Sequence, residues 1–155
     1  MATPQFNPEE TNKAVVRRIY DECFNQNRLE VADQIFAPDF ISPGPDGGTG
    51  PAGFKTIASR LLAGFPGLQF TLHEVVAEQD RVAVRWTWAG THLGSFMNIP
   101  ATGKPVRQEA IVMFRLAGGK ITELKAQVDR LGFLQQLGVI PALPGLAGVP
   151  APVKA

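Results

Sequence analysis

The stretch RVAVRWTWAGTH, residues 81–92, alternates apolar side chains with polar or small ones. One face of an extended chain here carries only apolar side chains, namely Val82, Val84, Trp86 and Trp88. Because successive side chains of a β-strand point to opposite faces, the alternation predicts a strand with one buried face. We expect the two tryptophans to pack against helices or at a subunit interface, and Arg85 to face the other way.

Three more segments have the same extended character. They are LQFTLHEVVAEQD (68–80), PVRQEAIVMFRLA (105–117) and KITELKAQVD (120–129). The turn-like EQD, the longer LGSFMNIPATGK and the glycine pair of AGGK separate the predicted strands. Four strands that follow one another along the chain predict one antiparallel meander.

The first half of the chain has helical periodicity instead. Apolar residues from Asn12 to Phe24 recur at the spacing of one helix face, and LEVADQIFA (29–37) resumes the pattern until Pro38 ends it. The Gly- and Pro-rich segment Phe40–Gly53 predicts a loop that leads into a third helix at about 54–63. Helices followed by consecutive strands predict an α+β fold, in which the helices cover one face of a curved sheet and close a cone with an interior.

The composition excludes several classes of protein. The chain has 155 residues, and its 15 basic and 14 acidic side chains give a formal charge of +1 without any block of like charge, so nucleic acid is not an expected partner. The single cysteine, Cys23, cannot form an internal disulfide, and His73 and His92 lie too far apart to indicate a metal site. We find neither a signal-peptide pattern nor a long apolar run, which predicts a cytoplasmic protein that does not enter membranes.

We divide the chain into an N-terminal extension (1–11), one domain (12–138) and a C-terminal tail (139–155). The tail is apolar but interrupted by prolines, so we expect it either to dock on a neighbouring subunit or to stay mobile.

Three motifs carry a resemblance: GTHLGSFMNIPATGKPV (90–106), FRLAGGKI (114–121) and VDRLGFLQQLG (128–138). At this spacing the chain resembles the SnoaL-like polyketide cyclase (ester cyclase) family, which has the nuclear transport factor 2-like fold, from about Asn12 to Gly138. The resemblance implies a cone-shaped pocket for a small hydrophobic substrate, no metal, no organic cofactor, and a homodimer or homotetramer.

The same resemblance implies a reaction and a catalytic residue. Polyketide cyclases of this family catalyse an intramolecular aldol condensation with an aspartate as acid and base, and by similarity that aspartate is Asp129. A positioned carboxylate suits this chemistry, since it can take a proton from an activated carbon and return one to the new alkoxide. The alternative is that Asp129 only caps the helix that follows, and strand alternation indeed groups it with the polar Glu123, Lys125 and Gln127.

The sequence departs from the cyclase pattern at two positions. Ser42 replaces the asparagine that precedes Pro-Gly in the first loop, and Arg115 replaces a histidine before the Gly-Lys hairpin. If Arg115 shares a cavity with Asp129, its positive charge would favour the ionised carboxylate and weaken it as a general acid. Arg115 would then bind a substrate carboxylate or stabilise an enolate. The alternative is an ordinary surface arginine.

The remaining candidates for substrate contact follow from the family match. They are Phe24, Ser42, Ile57, Arg85, His92 and Met113. Each has a structural alternative: core packing for Phe24, Ile57 and Met113, a surface ion pair for Arg85, and a hydrogen-bonded turn for His92.

Three functions remain open from sequence. The first is a cofactor-free enzyme that performs an aldol cyclisation or a related proton transfer on a polycyclic or β-keto substrate, and it predicts a buried Asp129 facing a hollow interior. The second is a hydrolase or hydroxylase with a close carboxylate–arginine pair. The third is a non-catalytic ligand-binding domain with a filled cone. We favour the first because VDRLGFLQQLG retains the acid/base position of the family.

Overall fold

The computed structural model describes residues 5–44 and 47–141. Its helices are α1 (Pro8–Arg18), which continues as a π-helix (Ile19–Asn25), α2 (Ala32–Ile35), α3 (Gly50–Gly64) and α4 (Arg130–Gln136). A short 3₁₀ turn at Leu29–Val31 precedes α2. The strands are β1 (Gln69–Glu78), β2 (Arg81–Thr91), β3 (Pro105–Ala117) and β4 (Lys120–Val128).

Within the described residues the strands form one antiparallel sheet in the order β1-β2-β3-β4, so each strand pairs with its neighbour in sequence. The β3–β4 turn consists of Gly118 and Gly119 with φ values of 56° and 74°, the backbone conformation that a two-residue hairpin requires. The buried side chains of the sheet face the helices, and the opposite face is open. The predicted α+β fold, with helices on one face of a curved meander, is confirmed.

The first helix begins at Pro8, earlier than the predicted Asn12 and inside the segment that we assigned to the N-terminal extension. The side chain of Asn7 accepts hydrogen bonds from the backbone N–H groups of Glu9 and Glu10, at 3.0 and 3.4 Å. A capping asparagine followed by proline at the first helical position is a strong helix start. The periodicity of apolar residues misses this turn because its side chains are polar and exposed.

The third helix also begins earlier than expected, at Gly50 rather than near Phe54. The Gly- and Pro-rich composition suggested a loop here, but Pro51 lies in the first turn, where a helix needs no N–H donor. Gly50 itself has a φ of 65°, which lets the chain turn sharply into the helix. The predicted loop therefore ends at Thr49.

The hydrophobic core lies between the helices and the inner face of the sheet. Trp86 and Trp88 are 7% and 1% exposed, so of the two expected locations the interior is the observed one. No helix among the described residues is long and apolar enough to cross a membrane. Of the predicted tail, residues 142–155 lie outside the described residues.

Candidate active site

The inner face of the sheet presents apolar side chains in register across three strands. Trp86 pairs with Ala110, which pairs with Val128, and the next row is Val84, Val112 and Ala126. The third row is Val82, Phe114 and Leu124. These rows contain no ionisable side chain, so the concave surface is suited to an apolar ligand and offers it no charge.

The helices cover this surface unevenly. The π-helix and α3 place Tyr20, Phe24 and Phe54 over β1 and β2, where the rings of Phe24 and Phe70 lie 4.7 Å apart and those of Phe24 and Phe54 lie 5.8 Å apart. On β4, by contrast, Ala126 is exposed and Val128 is only partly buried. The concave face is therefore open beside β4 and packed with aromatic rings beside β2.

Asp129 lies where β4 ends and α4 begins. Its backbone N–H donates to the carbonyl oxygen of Glu109 at 3.0 Å, and its Oδ1 accepts a hydrogen bond from the backbone N–H of Gly132 at 2.9 Å. The carboxylate thus caps α4, and the side chain is exposed rather than buried. Within residues 5–44 and 47–141 its Oδ2 makes no hydrogen bond or ion pair, so one carboxylate oxygen remains available.

Gly132 makes close contact with this carboxylate. A methyl group in place of its hydrogen would clash with Oδ2 of Asp129, so Gly132→Ala must push the carboxylate away and break the cap. The lost cap lowers the free energy of unfolding by about 1 kcal/mol, and the better helix propensity of alanine raises it by about the same amount. We expect the free energy of unfolding, measured by urea denaturation, to change by less than about 1 kcal/mol. A loss above about 3 kcal/mol would mean that Asp129 cannot rotate away from the new methyl group.

Arg115 lies on the other face of the sheet, which is open to solvent. It is 3.7 Å from Asp80 and 4.0 Å from Glu123, and its side chain is 45% exposed. Glu123 is its register partner on β4, and Asp129 follows six residues later, roughly 20 Å along the strand. The structure does not bring Arg115 and Asp129 into one cavity. The cavity that Arg115 does border, of about 170 Å³, is lined by outer-face residues such as Arg81 and Lys125.

Two of the predicted substrate contacts share this outer face. Arg85 is 3.1 Å from Glu74, which is the expected alternative of a surface ion pair. Met113 is 45% exposed and pairs with Ala83 and Lys125. Neither side chain belongs to the concave surface. Arg85 and Met113 have odd residue numbers, and the buried apolar side chains of β2 and β3 that face the helices have even ones.

His92 is fully buried at the end of β2, stacked on Phe65 with 5.1 Å between ring centroids. Its Nδ1 accepts a hydrogen bond from the backbone N–H of Thr102 at 3.2 Å. Because a backbone N–H can only donate, the neutral ring must carry its proton on Nε2. That Nε2 is buried and has no hydrogen-bond partner within residues 5–44 and 47–141. The expected hydrogen-bonded turn is present, and it holds the ring in one tautomer.

The other three predicted contacts are on the helical side. Phe24 is 8% exposed within the aromatic cluster over β2, and Ile57 is half-buried on α3. Ser42 is 3% exposed, and its Oγ has no hydrogen-bond partner among the described residues. Its hydroxyl lies against Gly53, where an added methyl group would come within 2.9 Å of Oγ. Of these three, Phe24 belongs to the aromatic cluster of Trp86 through Phe70, whereas Asp129 directly follows the last residue of β4.

Comparison with known proteins decides the family. The family model described as SnoaL-like polyketide cyclase matches residues 14–137. The chain belongs to the SnoaL-like polyketide cyclase family. The resemblance drawn from the three sequence motifs is thereby confirmed, and so is the assignment to a family of cyclase enzymes.

Individual SnoaL-like relatives are similar at modest identity. Nogalonic acid methyl ester cyclase from Streptomyces nogalater is 28% identical over 126 residues, covering 75% of this chain and 90% of that protein. Aklanonic acid methyl ester cyclase DauD from Streptomyces sp. (strain C5) is 29% identical over 131 residues, covering 80% of each. The crystal structure of IdmH, a proposed polyketide cyclase from Streptomyces antibioticus, superposes with a TM-score of 0.70 at 30% identity, covering 83% of this chain and 99% of that one.

The sequence did not predict one polar pair in the interior of this SnoaL-like protein. Trp86 Nε1 donates a hydrogen bond to the hydroxyl of Tyr20 at 3.0 Å, and both side chains are buried. The sequence pattern counted Tyr20 as an apolar position of the first helix. A tyrosine at a core position is itself a signal, because its hydroxyl usually needs a buried partner.

Other reactive groups of the SnoaL-like domain are held in structural roles. Burial raises the pKa of the Cys23 thiol to about 11, so it is not a poised nucleophile at neutral pH.

A groove of about 710 Å³ lies between the start of α1 and the hairpin turns. Its Glu9 accepts from the N–H of Gln79 at 2.8 Å, and its Asp80 is the partner of Arg115. Among the described residues, no three His, Cys, Asp or Glu side chains cluster in a way that could hold a metal ion.

Proposed function

We propose that this SnoaL-like protein is a cofactor-independent cyclase that closes a ring in a polycyclic β-keto ester by intramolecular aldol condensation. Asp129 takes a proton from the carbon between two carbonyl groups. The resulting carbanion attacks a ketone carbon of the same molecule, which forms the new C–C bond. The alkoxide then takes the proton back from Asp129. Such a carbon acid is already activated, so the protein mainly holds the two reacting ends together.

The observation that carries this proposal is the placement of the Asp129 carboxylate. Gly132 fixes Oδ1, and Oδ2 has no partner among the described residues. The preceding residue, Val128, belongs to the inner rows of the sheet. A ligand lying on Ala126 and Val128 would therefore have the carboxylate at its edge. The cyclases that resemble this chain are named for methyl esters of polyketide acids, which fit an apolar surface without charges.

Incubation of the purified protein with aklanonic acid methyl ester, and separately with nogalonic acid methyl ester, tests the activity. We expect enzyme-dependent loss of at least one ester and formation of an isomeric product of unchanged mass, followed by liquid chromatography and mass spectrometry. An aldol ring closure conserves all atoms, whereas hydrolysis would release methanol and oxygenation would add mass. Either of those masses, or no conversion of both esters and related β-keto polyketides, would argue against the proposal.

A second candidate, a ligand-binding domain without turnover, is favoured by one specific observation. The inner rows from Trp86 to Leu124 hold no acid or base, and the aromatic cluster fills the space over β2. This reading predicts that the protein binds a polycyclic ester and releases it unchanged. Recovery of intact ester from a complex of measurable affinity would favour it over the cyclase.

We also propose that two copies of the chain pack through the outer face of the sheet. Val76 is 61% exposed and Ile111 is 56% exposed on this face, and Glu74 and Arg85 carry opposite charges beside them. A surface with an apolar centre and both charges can pair with a rotated copy of itself.

Ile111→Glu should break this pairing, because it places a carboxylate in the apolar centre of the outer face. Light scattering at micromolar concentration should give about twice the chain mass for the native protein and the single-chain mass for the variant. Leu93→Glu, at a residue 60% exposed outside the sheet, is the matched control and should keep the native mass. A native protein of single-chain mass would refute the pairing.

A further inference from the structure

The O–H group of Tyr20 donates no hydrogen bond to any residue that the structure describes. Trp86 Nε1–H donates to Tyr20 Oη at 3.0 Å, and an indole N–H cannot accept, so the tyrosine oxygen is the acceptor in this bond. The hydroxyl still has its own proton. Across residues 5–44 and 47–141, no acceptor for that proton is found. Tyr20 is 4% exposed, so bulk water does not supply one.

The hydroxyl stays protonated under ordinary conditions. Burial raises the pKa of Tyr20 well above its usual value, and the hydrogen bond from Trp86 offsets only part of that increase. A neutral, buried O–H without an acceptor is costly to the folded protein. A ligand that brings an oxygen atom to this point would recover that energy.

The position of Trp86 shows how a ligand would reach the hydroxyl. Trp86, Ala110 and Val128 form one row across adjacent strands, so the open edge at β4 is about 10 Å from the indole. The middle residue of that row is an alanine, the smallest side chain of the row. Phe70 packs on the indole with 4.9 Å between ring centroids, and Phe70, Phe24 and Phe54 each keep 7 to 8% exposure. Ala110 is itself only 3% exposed, so a planar ring system enters this row by displacing the side chains that cover it, and it would then span the distance from Val128 to Trp86.

The helix that carries Tyr20 has an unusual backbone at this point. Ile19–Asn25 is a π-helix, and Ile19, Tyr20, Cys23 and Phe24 are its buried residues. π-helical turns within α-helices are rare and occur frequently at functional sites. The irregular turn therefore coincides with the residue that holds the unused donor.

We propose that Tyr20 binds the carbonyl oxygen of a planar polycyclic ketone or ester through its hydroxyl proton, with Trp86 fixing the orientation of that hydroxyl. The inference deepens the proposed function, since it assigns the group that orients the substrate carbonyl. It requires only binding, however, and holds for the ligand-binding candidate as well. Asp129 at the rim and Tyr20 in the interior would then contact opposite ends of one ligand.

A matched pair of ligands tests the proposal. 9-Fluorenone and fluorene share one planar tricyclic skeleton, and only fluorenone has a carbonyl group. We expect Tyr20→Phe to raise the Kd of fluorenone about three- to tenfold, measured by equilibrium dialysis, and to leave the Kd of fluorene unchanged. The infrared carbonyl stretch of bound fluorenone should lie at lower frequency in the native protein than in Tyr20→Phe. Equal effects on both ligands would show that Tyr20 serves only packing and would overturn the proposal.

Two further comparisons keep the test decisive. If Tyr20→Phe does not fold, the carbonyl stretch in the native protein decides alone, and a frequency equal to that in hydrocarbon solvent overturns the proposal. Lack of binding of both ligands to the native protein also overturns it. Glu109→Gln, at an exposed carboxylate, should bind fluorenone as the native protein does. A failed cyclase assay with a positive fluorenone result would therefore reject the aldol reaction and retain the role of Tyr20, and the reverse result would reject Tyr20 alone.

Discussion

Asp129→Asn is expected to lower kcat for cyclisation by at least about a hundredfold, since a positioned acid/base group typically contributes that much or more. An amide cannot take the proton from the activated carbon. It can still accept the hydrogen bond from the N–H of Gly132, because asparagine caps helices as well as aspartate does. Stability should therefore stay within about 0.5 kcal/mol of the native value, which separates catalysis from capping.

The measurement is the initial rate of product formation from whichever methyl ester the native protein converts. Glu109→Gln is the matched control, because Glu109 is an exposed carboxylate whose backbone pairs with Asp129. We expect it to keep the native rate. If Asp129→Asn cyclises the ester within twofold of the native rate, Asp129 is a cap and the acid/base group must be sought elsewhere.

Phe65→Ala is expected to lower the free energy of unfolding by about 3–5 kcal/mol, the largest stability loss that we predict for one side chain. Phe65 is fully buried directly after α3. Its ring centroid lies 4.8 Å from that of Trp88, 5.1 Å from that of His92 and 5.8 Å from that of Phe133. One truncation therefore leaves a cavity shared by α3, β2 and α4.

Urea denaturation of Phe65→Ala and Phe65→Leu measures this loss, with leucine expected to recover more than half of it. Phe6→Ala is the control, because Phe6 is 76% exposed and its removal should change stability by less than about 0.5 kcal/mol. A loss below about 1 kcal/mol for Phe65→Ala would mean that the neighbouring rings close the cavity, and that this end of the interior is not rigid.

Strand alternation predicted β2 and β3 well because one face of each is buried along most of its length. In RVAVRWTWAGTH the buried apolar positions of the strand are the even ones, so both the strand and its inner face follow from the sequence, while the odd-numbered Thr87 is a buried polar exception. In β3 the alternation is less informative, since the exposed face also carries the apolar Ile111 and Met113. Arg115 and Met113 are pocket candidates by the family match, and alternation alone could not show that they lie on the face away from the helices.

The site was less predictable because it depends on orientation at the ends of elements. Strand alternation already grouped Asp129 with polar residues, and its exposure agrees with that grouping. The cap to Gly132 requires the backbone turn at the start of α4, which no residue pattern specifies. Tyr20 and His92 each accept a hydrogen bond from a neighbour and keep an N–H or O–H group without an acceptor in the described part of the chain. Only the folded structure shows which neighbours donate, so the sequence could not reveal these free donors.

The bond between Tyr20 and Trp86 has an optical consequence. The chain contains one tyrosine and two tryptophans, and all three are buried beside the concave face. Excitation of Tyr20 should pass to the adjacent indoles by energy transfer, so the folded protein should emit almost entirely as tryptophan. Tyrosine emission should appear only on unfolding, and a bound aromatic ketone should quench the indoles. The native chain therefore carries its own fluorescent reporter of occupancy, without any attached label.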